Sequence, residues 1–108
     1  MAVELDLSQD RITAYLSGEI DHHIAAGLRR EIDGPVMADP PPLLVLDFGG
    51  VTFMDSSGIG LIMGRYKLMQ ESGGRLLVQN VPRPLKKVMK VSGLDKLGVL
   101  EKTEDEKR

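Results

Sequence analysis

Residues 43–67 read LLVLDFGGVTFMDSSGIGLIMGRYK, and this stretch decides how the chain is read. Its first six residues are apolar except for Asp47, the pattern of a central strand covered on both faces. Gly49 and Gly50 then read as a turn. Further on, Ile59, Ile62, Met63, Tyr66 and Met69 recur at helical spacing, which predicts a helix over 57–71, ended by Gly73 and Gly74. Between the two halves stand Asp55, Ser56 and Ser57. Neither half needs two adjacent hydroxyls to fold.

The flanking segments supply the rest of the fold. Val3, Leu5 and Leu7 alternate with polar residues, as do Ile12, Ala14 and Leu16, so two half-buried strands are predicted with a hairpin turn at Gln9 and Asp10. Asp21 is placed to cap a helix over 22–33, whose apolar residues are Ile24, Leu28 and Ile32 and which Gly34 and Pro35 should stop. Pro40, Pro41 and Pro42 make a rigid loop. Residues 76–81 read as a strand, and Leu85, Val88 and Met89 as a third helix with Pro84 in its first turn and Gly93 after its end. Val99 and Leu100 start a last short strand, and the mixed-charge tail EKTEDEKR is expected to be solvated. The order β-β-α-β-α-β-α-β predicts an α/β fold in one domain over 1–108. Its sheet should be mixed and mostly parallel, with four to five strands and three to four helices.

Composition narrows the function. At 108 residues one core is enough. The formal net charge of −2 argues against a nucleic-acid binder, although Arg83, Lys86, Lys87 and Lys90 cluster. The absence of cysteine excludes disulfides, thiolate catalysis and cysteine-ligated zinc, and fits a cytoplasmic protein. The N-terminus MAVELDLSQD is acidic and alternating, unlike a signal peptide, and no apolar run approaches the roughly 20 residues of a spanning helix.

The serine turn has two physical readings. Asp and Ser favour helix N-termini because their oxygens accept from N–H groups that lack intrahelical partners, so DSSG is at least a cap. A hydroxyl at the same place is also suited to phosphorylation. The helix N-terminus tolerates an added anion, and Gly58 and Gly60 leave the backbone open to an approaching protein. Catalytic readings fail on the residues. Neither serine sits in G-x-S-x-G, there is no G-x-x-x-x-G-K-[ST] loop, and Met63 stands where a dinucleotide fingerprint needs its third glycine. Gly60 and Gly64 are expected to let the helix sit close to the sheet. His22 and His23 are adjacent, so on a helix they point about 100° apart and do not share a metal ion. No metal site, cofactor or catalytic set is predicted. A small nucleotide-binding protein using the glycine-rich turn is the alternative from another class.

The segments GEIDHHIA (18–25), FMDSSG (53–58), GRYK (64–67) and VSGLDKL (91–97), in that order, resemble the STAS-domain anti-sigma factor antagonists, most closely those of the sporulation type. The resemblance covers nearly the whole chain. It implies a binding module that, unphosphorylated, engages an anti-sigma factor serine kinase and releases a sigma factor, sigma F in the sporulation branch. The kinase would phosphorylate Ser56 and so end binding, and a PP2C-type serine phosphatase would reverse this. A general stress sigma pathway is the alternative within the family. The docking surface is expected to comprise Asp21, Met54, Asp55, Ser57, Gly58 and Ile59 around Ser56. Asp21 has two readings: a helix cap only, or a cap that also orients the Ser56 hydroxyl or holds a partner arginine. Members of the sporulation type continue past the last strand with a further short helix, which here would be short or missing.

Overall fold

The computed structural model describes residues 2–101. Two strands, β1 (Val3–Leu7) and β2 (Ile12–Ile20), form an antiparallel hairpin closed by the Ser8 N–H donating to the Arg11 carbonyl. Helix α1 (His22–Ala38) leads to β3 (Leu43–Met54), and α2 (Ser56–Ser72) leads to β4 (Arg75–Gln79). Helix α3 (Arg83–Val91) and a short 3₁₀ helix (Leu94–Leu97) complete the described chain. The sheet order is β1-β2-β3-β4, with β2, β3 and β4 parallel.

This order places the helices. Both crossovers step to the next strand in the same direction, and a right-handed connection then puts α1 and α2 on the same face. Ile12, Ala14 and Leu16 of β2, Leu44, Leu46 and Phe48 of β3, and Leu76 and Val78 of β4 form that face. Leu28, Ile32 and Val36 of α1, Leu61, Ile62 and Met69 of α2, and Leu85 and Met89 of α3 close over it. The opposite face carries Glu4, Tyr15, Asp47 and Gln79 in one cross-strand row. The apolar run 43–48 is therefore covered by helices on one side only. Val45, on the other side, is buried among its own sheet, between Thr13 and Leu77 in register.

Three of the differences from the sequence reading have a tertiary reason. Helix α1 runs through Gly34 and Pro35 to Ala38. Pro35 removes one N–H, but the carbonyl it leaves unpartnered belongs to exposed Glu31, where water can satisfy it. Val36, 1% exposed, extends the Leu28–Ile32 stripe by one more turn and holds the segment helical. Gly49 and Gly50 lie inside β3 and not in a turn. The β2–β3 register slips there, with Tyr15 opposite Asp47 but Ser17 opposite Gly50. A Cβ on Gly50 would sit 3.1 Å from the Leu16 carbonyl oxygen, and one on Gly49 3.0 Å from Asp47 Oδ1, so glycine permits the bulge. The predicted last strand is a single parallel bridge, Val78 with Leu100. Beyond Glu101 the tail, and with it any further short helix, lies outside the described residues.

Replacing Val36 with Ala should cost about 1–3 kcal/mol, measured as a shift of the urea midpoint at unchanged slope. Met37→Ala, next to it and 67% exposed, should stay within about 0.5 kcal/mol.

Candidate functional site

Two parallel strands end side by side, and each hands over to a helix through an aspartate. Asp21 follows β2 and its Oδ1 accepts from the Ile24 N–H at 2.9 Å. Asp55 follows β3 and its Oδ1 accepts from the Ser57 N–H at 2.8 Å. The two turns are joined by the Asp55 N–H donating to the Ile20 carbonyl at 3.2 Å. Both helix N-termini thus open at the same end of the sheet, where the macrodipoles favour an anion.

Around this end the predicted residues separate into two surfaces. Ser56, the first residue of α2, is exposed. With Met54, Asp55 and Ile59 it lines an open groove of about 680 Å3 whose other wall is α3, through Pro84, Lys87, Val88, Val91 and Ser92. Ser57 is half-buried and turns the other way, into a cleft between α1 and α2 with His22, Ala25, Ala26 and Arg29. His22 and Ser57 therefore line the same cleft, and Asp21 is exposed with its carboxylate engaged at its own helix cap.

Gly58 is buried and does not form part of the open surface. A Cβ there would stand 2.1 Å from Met54 Cγ and 2.3 Å from Met54 Sδ, so the glycine lets the first turn of α2 close over the end of β3. Gly60 and Gly64 do not bring the helix close to the sheet. Nothing lies within 4 Å of a Cβ at either, and both face the α1–α2 cleft.

The cleft floor is held by Arg65, 5% exposed. Its Nε lies 2.8 Å from Asp33 Oδ1, as an ion pair in which neither atom makes an aligned hydrogen bond. Its Nη2 donates to Asp33 Oδ2 at 3.2 Å, and its Nη1 donates to the Leu61 carbonyl at 3.1 Å. Burial lowers the Arg65 pKa from its ordinary value, Asp33 opposes that shift, and neighbouring Arg29 adds to it. The pair ties α1 to α2. The sequence shows it only as two charges 32 residues apart, and no local signal links them. The α3 wall of the groove was also missed, although Pro84, Lys87, Val88 and Val91 recur at helical spacing on the side of α3 opposite Leu85 and Met89.

Residues 3–107 match the STAS domain family. The chain belongs to the STAS domain family. It is similar to an anti-sigma F factor antagonist of Paenibacillus polymyxa, 35% identical over 97 residues, covering 90% of this chain and 83% of the relative. An anti-sigma-B factor antagonist of Bacillus subtilis is 29% identical, with 87% and 86% covered. Among solved structures, the anti-sigma factor antagonist SpoIIAA in its unphosphorylated form superposes with a TM-score of 0.83 at 30% identity over 97% of this chain and 91% of that one. The Bacillus cell fate determinant SpoIIAA in its phosphorylated form gives 0.75 at 30% identity, with 97% and 95% covered. Among the described residues the STAS fold is a four-stranded mixed sheet with three α-helices, and the family is regulatory, not enzymatic. Among the described residues, no helix of this STAS domain is long and apolar enough to cross a membrane.

Gly58→Ala should destabilise by about 1–3 kcal/mol through overpacking against Met54. Gly60→Ala, which adds its methyl to open space, should be neutral or stabilise by up to about 1 kcal/mol. Equal effects of the two in denaturant melts would contradict this packing. Asp33→Asn should cost about 3–5 kcal/mol by leaving the Arg65 charge buried and unpaired, and Asp33→Leu with Arg65→Met should recover most of it.

Proposed function

We propose that this STAS domain is an anti-sigma factor antagonist switched by phosphorylation of Ser56. In its unmodified form it binds an anti-sigma factor that is also a serine kinase, and the sigma factor is released. The observation that carries the reading is the placement of Ser56, an exposed hydroxyl at the first residue of α2 on the rim of an apolar groove. A kinase can reach it, and a partner seated on the groove covers it.

The chemistry asks little of this chain. The Ser56 Oγ gives up its proton and forms a bond to the γ-phosphorus of ATP, the bond from that phosphorus to the bridging oxygen breaks, and ADP leaves. The kinase supplies the catalytic groups. The product carries roughly −1.5 to −2 charges beside Asp55. Covering that dianion with a partner strips its hydration, at several kcal/mol for an unpaired interface charge. A penalty of about 4 kcal/mol corresponds to roughly a thousandfold in affinity. The fold need not change, because the helix N-terminus accepts the anion. A PP2C-type serine phosphatase would restore the hydroxyl, and the cycle belongs in the cytoplasm. Met54, Asp55 and Ile59 beside Ser56, with Ser57 on the cleft side and Asp21 on the adjacent turn, form the region on which the partner packs, and the buried Gly58 lies beneath it. Met54 and Gly58 act there chiefly by supporting the turn.

The relative with the higher identity favours sigma F of sporulation, and the similarity to an anti-sigma-B antagonist supports a stress pathway as second reading. Incubation with the host's anti-sigma kinase and ATP should add one phosphate. Ser56→Ala should abolish it and Ser57→Ala should keep it, read by intact-mass spectrometry. Ser56→Ala should still bind the kinase, whereas Ser56→Asp should bind it at least tenfold more weakly. A phosphate that persists in Ser56→Ala would falsify the assignment.

A further inference from the structure

Helix α3 has two apolar sides. Leu85 and Met89 point into the core, and Met89 is fully buried. Pro84, Val88 and Val91 lie on another side and face the groove, with Val88 45% and Val91 84% exposed. Lys87 stands in the same row, three residues after Pro84 and four before Val91. A nine-residue helix gains nothing within its own chain by holding two β-branched residues in water.

The two charged side chains that line this groove stand on opposite walls, Lys87 on α3 and Asp55 before α2. Helix α3 carries Arg83, Lys86, Lys87 and Lys90 and no acidic residue. Asp55 is the carboxylate lining the groove, and its Oδ1 is held by the Ser57 N–H. The α3 wall therefore suits an occupant that is apolar on one side and acidic at its edge. A second copy packed with α3 against α3 fits poorly, because it brings cations together. The α1–α2 cleft on the other side of the turn is no rival, since its buried cation Arg65 is already paired with Asp33.

We propose that the α2–α3 groove receives an amphipathic acidic segment of the anti-sigma kinase, its apolar side on Val88 and Val91 and a carboxylate on Lys87, and that a phosphate on Ser56 competes for the same ammonium. This rests on the antagonist reading and adds a second component to the switch. In the unmodified chain Lys87 is available to the partner's carboxylate. In the modified chain the phosphoserine lies across the groove from Lys87 and beside Asp55, which repels it toward the α3 wall. The partner then loses its counter-ion and faces an added negative charge.

The test uses the full chain and the kinase purified from the same host. Calorimetry should show Val91→Asp and Lys87→Glu each weakening binding at least tenfold, with thermal unfolding unchanged because both side chains are exposed. Met37→Asp, which alters an exposed apolar residue on α1, should bind like the parent. In chain carrying phosphoserine installed at position 56 during translation, phosphorus NMR should show the second phosphate pKa rising when Lys87 becomes Gln, because an adjacent ammonium favours the dianion. Parent-like binding by Val91→Asp and Lys87→Glu overturns the groove assignment. So does a dimer of the chain alone that Val91→Asp dissolves. An unchanged phosphate pKa in Lys87→Gln overturns the competition. If the kinase leaves Ser56 unmodified while both groove variants still weaken binding, the phosphorylation reading fails and the groove assignment stands.

Discussion

The structure depends on two parallel strands ending level with each other. The Asp55 N–H reaches the Ile20 carbonyl, so the last residue of β2 and the cap of α2 are hydrogen-bonded neighbours. That bond holds the two helix starts side by side. Asp21 and Asp55 then satisfy N–H groups at the two helix starts, and the open ends of two macrodipoles share one edge of the sheet. A hydroxyl placed there is held by rigid secondary structure on both sides, so a covalent change to it alters the surface more than the fold.

The bulge in β3 is part of the same device. Two glycines let the strand pass its neighbour where a side chain would meet the Leu16 carbonyl or the Asp47 carboxylate. Asp47 anchors the region by accepting from the Gly49 N–H and from the side-chain amides of Gln79 and Asn80. Past the bulge the strand continues to Met54, whose side chain fills the space that Gly58 leaves empty. The serine turn is thus supported from beneath by a methionine and from the side by a neighbouring strand.

Helices α1 and α2 are coupled by one buried ion pair as well as by apolar contact. Such pairs contribute little net stability compared with an apolar replacement, but they are costly to break by halves. The Asp33–Arg65 pair fixes how the two helices sit across a cleft lined by small residues. Registering α1 against α2 also registers the Asp21 turn against the Ser56 turn, which is the geometry a docking protein would meet.

Much of this was legible in the chain itself. Alternation in 3–7 and 12–16, the helical spacing of 57–71 and the aspartates before two helices are local patterns, fixed by backbone periodicity and capping chemistry. From them came the element order, the mixed parallel sheet and the exposed serine at a helix start. What the chain could not show were effects whose partner lies far away in sequence. Pro35 reads as a helix stop until Val36 is seen in the core, and Gly49-Gly50 reads as a turn until the neighbouring strand is placed beside it. Ser56 and Ser57 look equivalent in a row, yet one faces a groove and the other a cleft, because successive helical residues are rotated by about 100° and different helices stand on either side. Local sequence determined which elements form and where a hydroxyl could be presented. Only tertiary packing decided which hydroxyl faces the apolar wall of α3, since that wall is brought there by a strand and a loop in between.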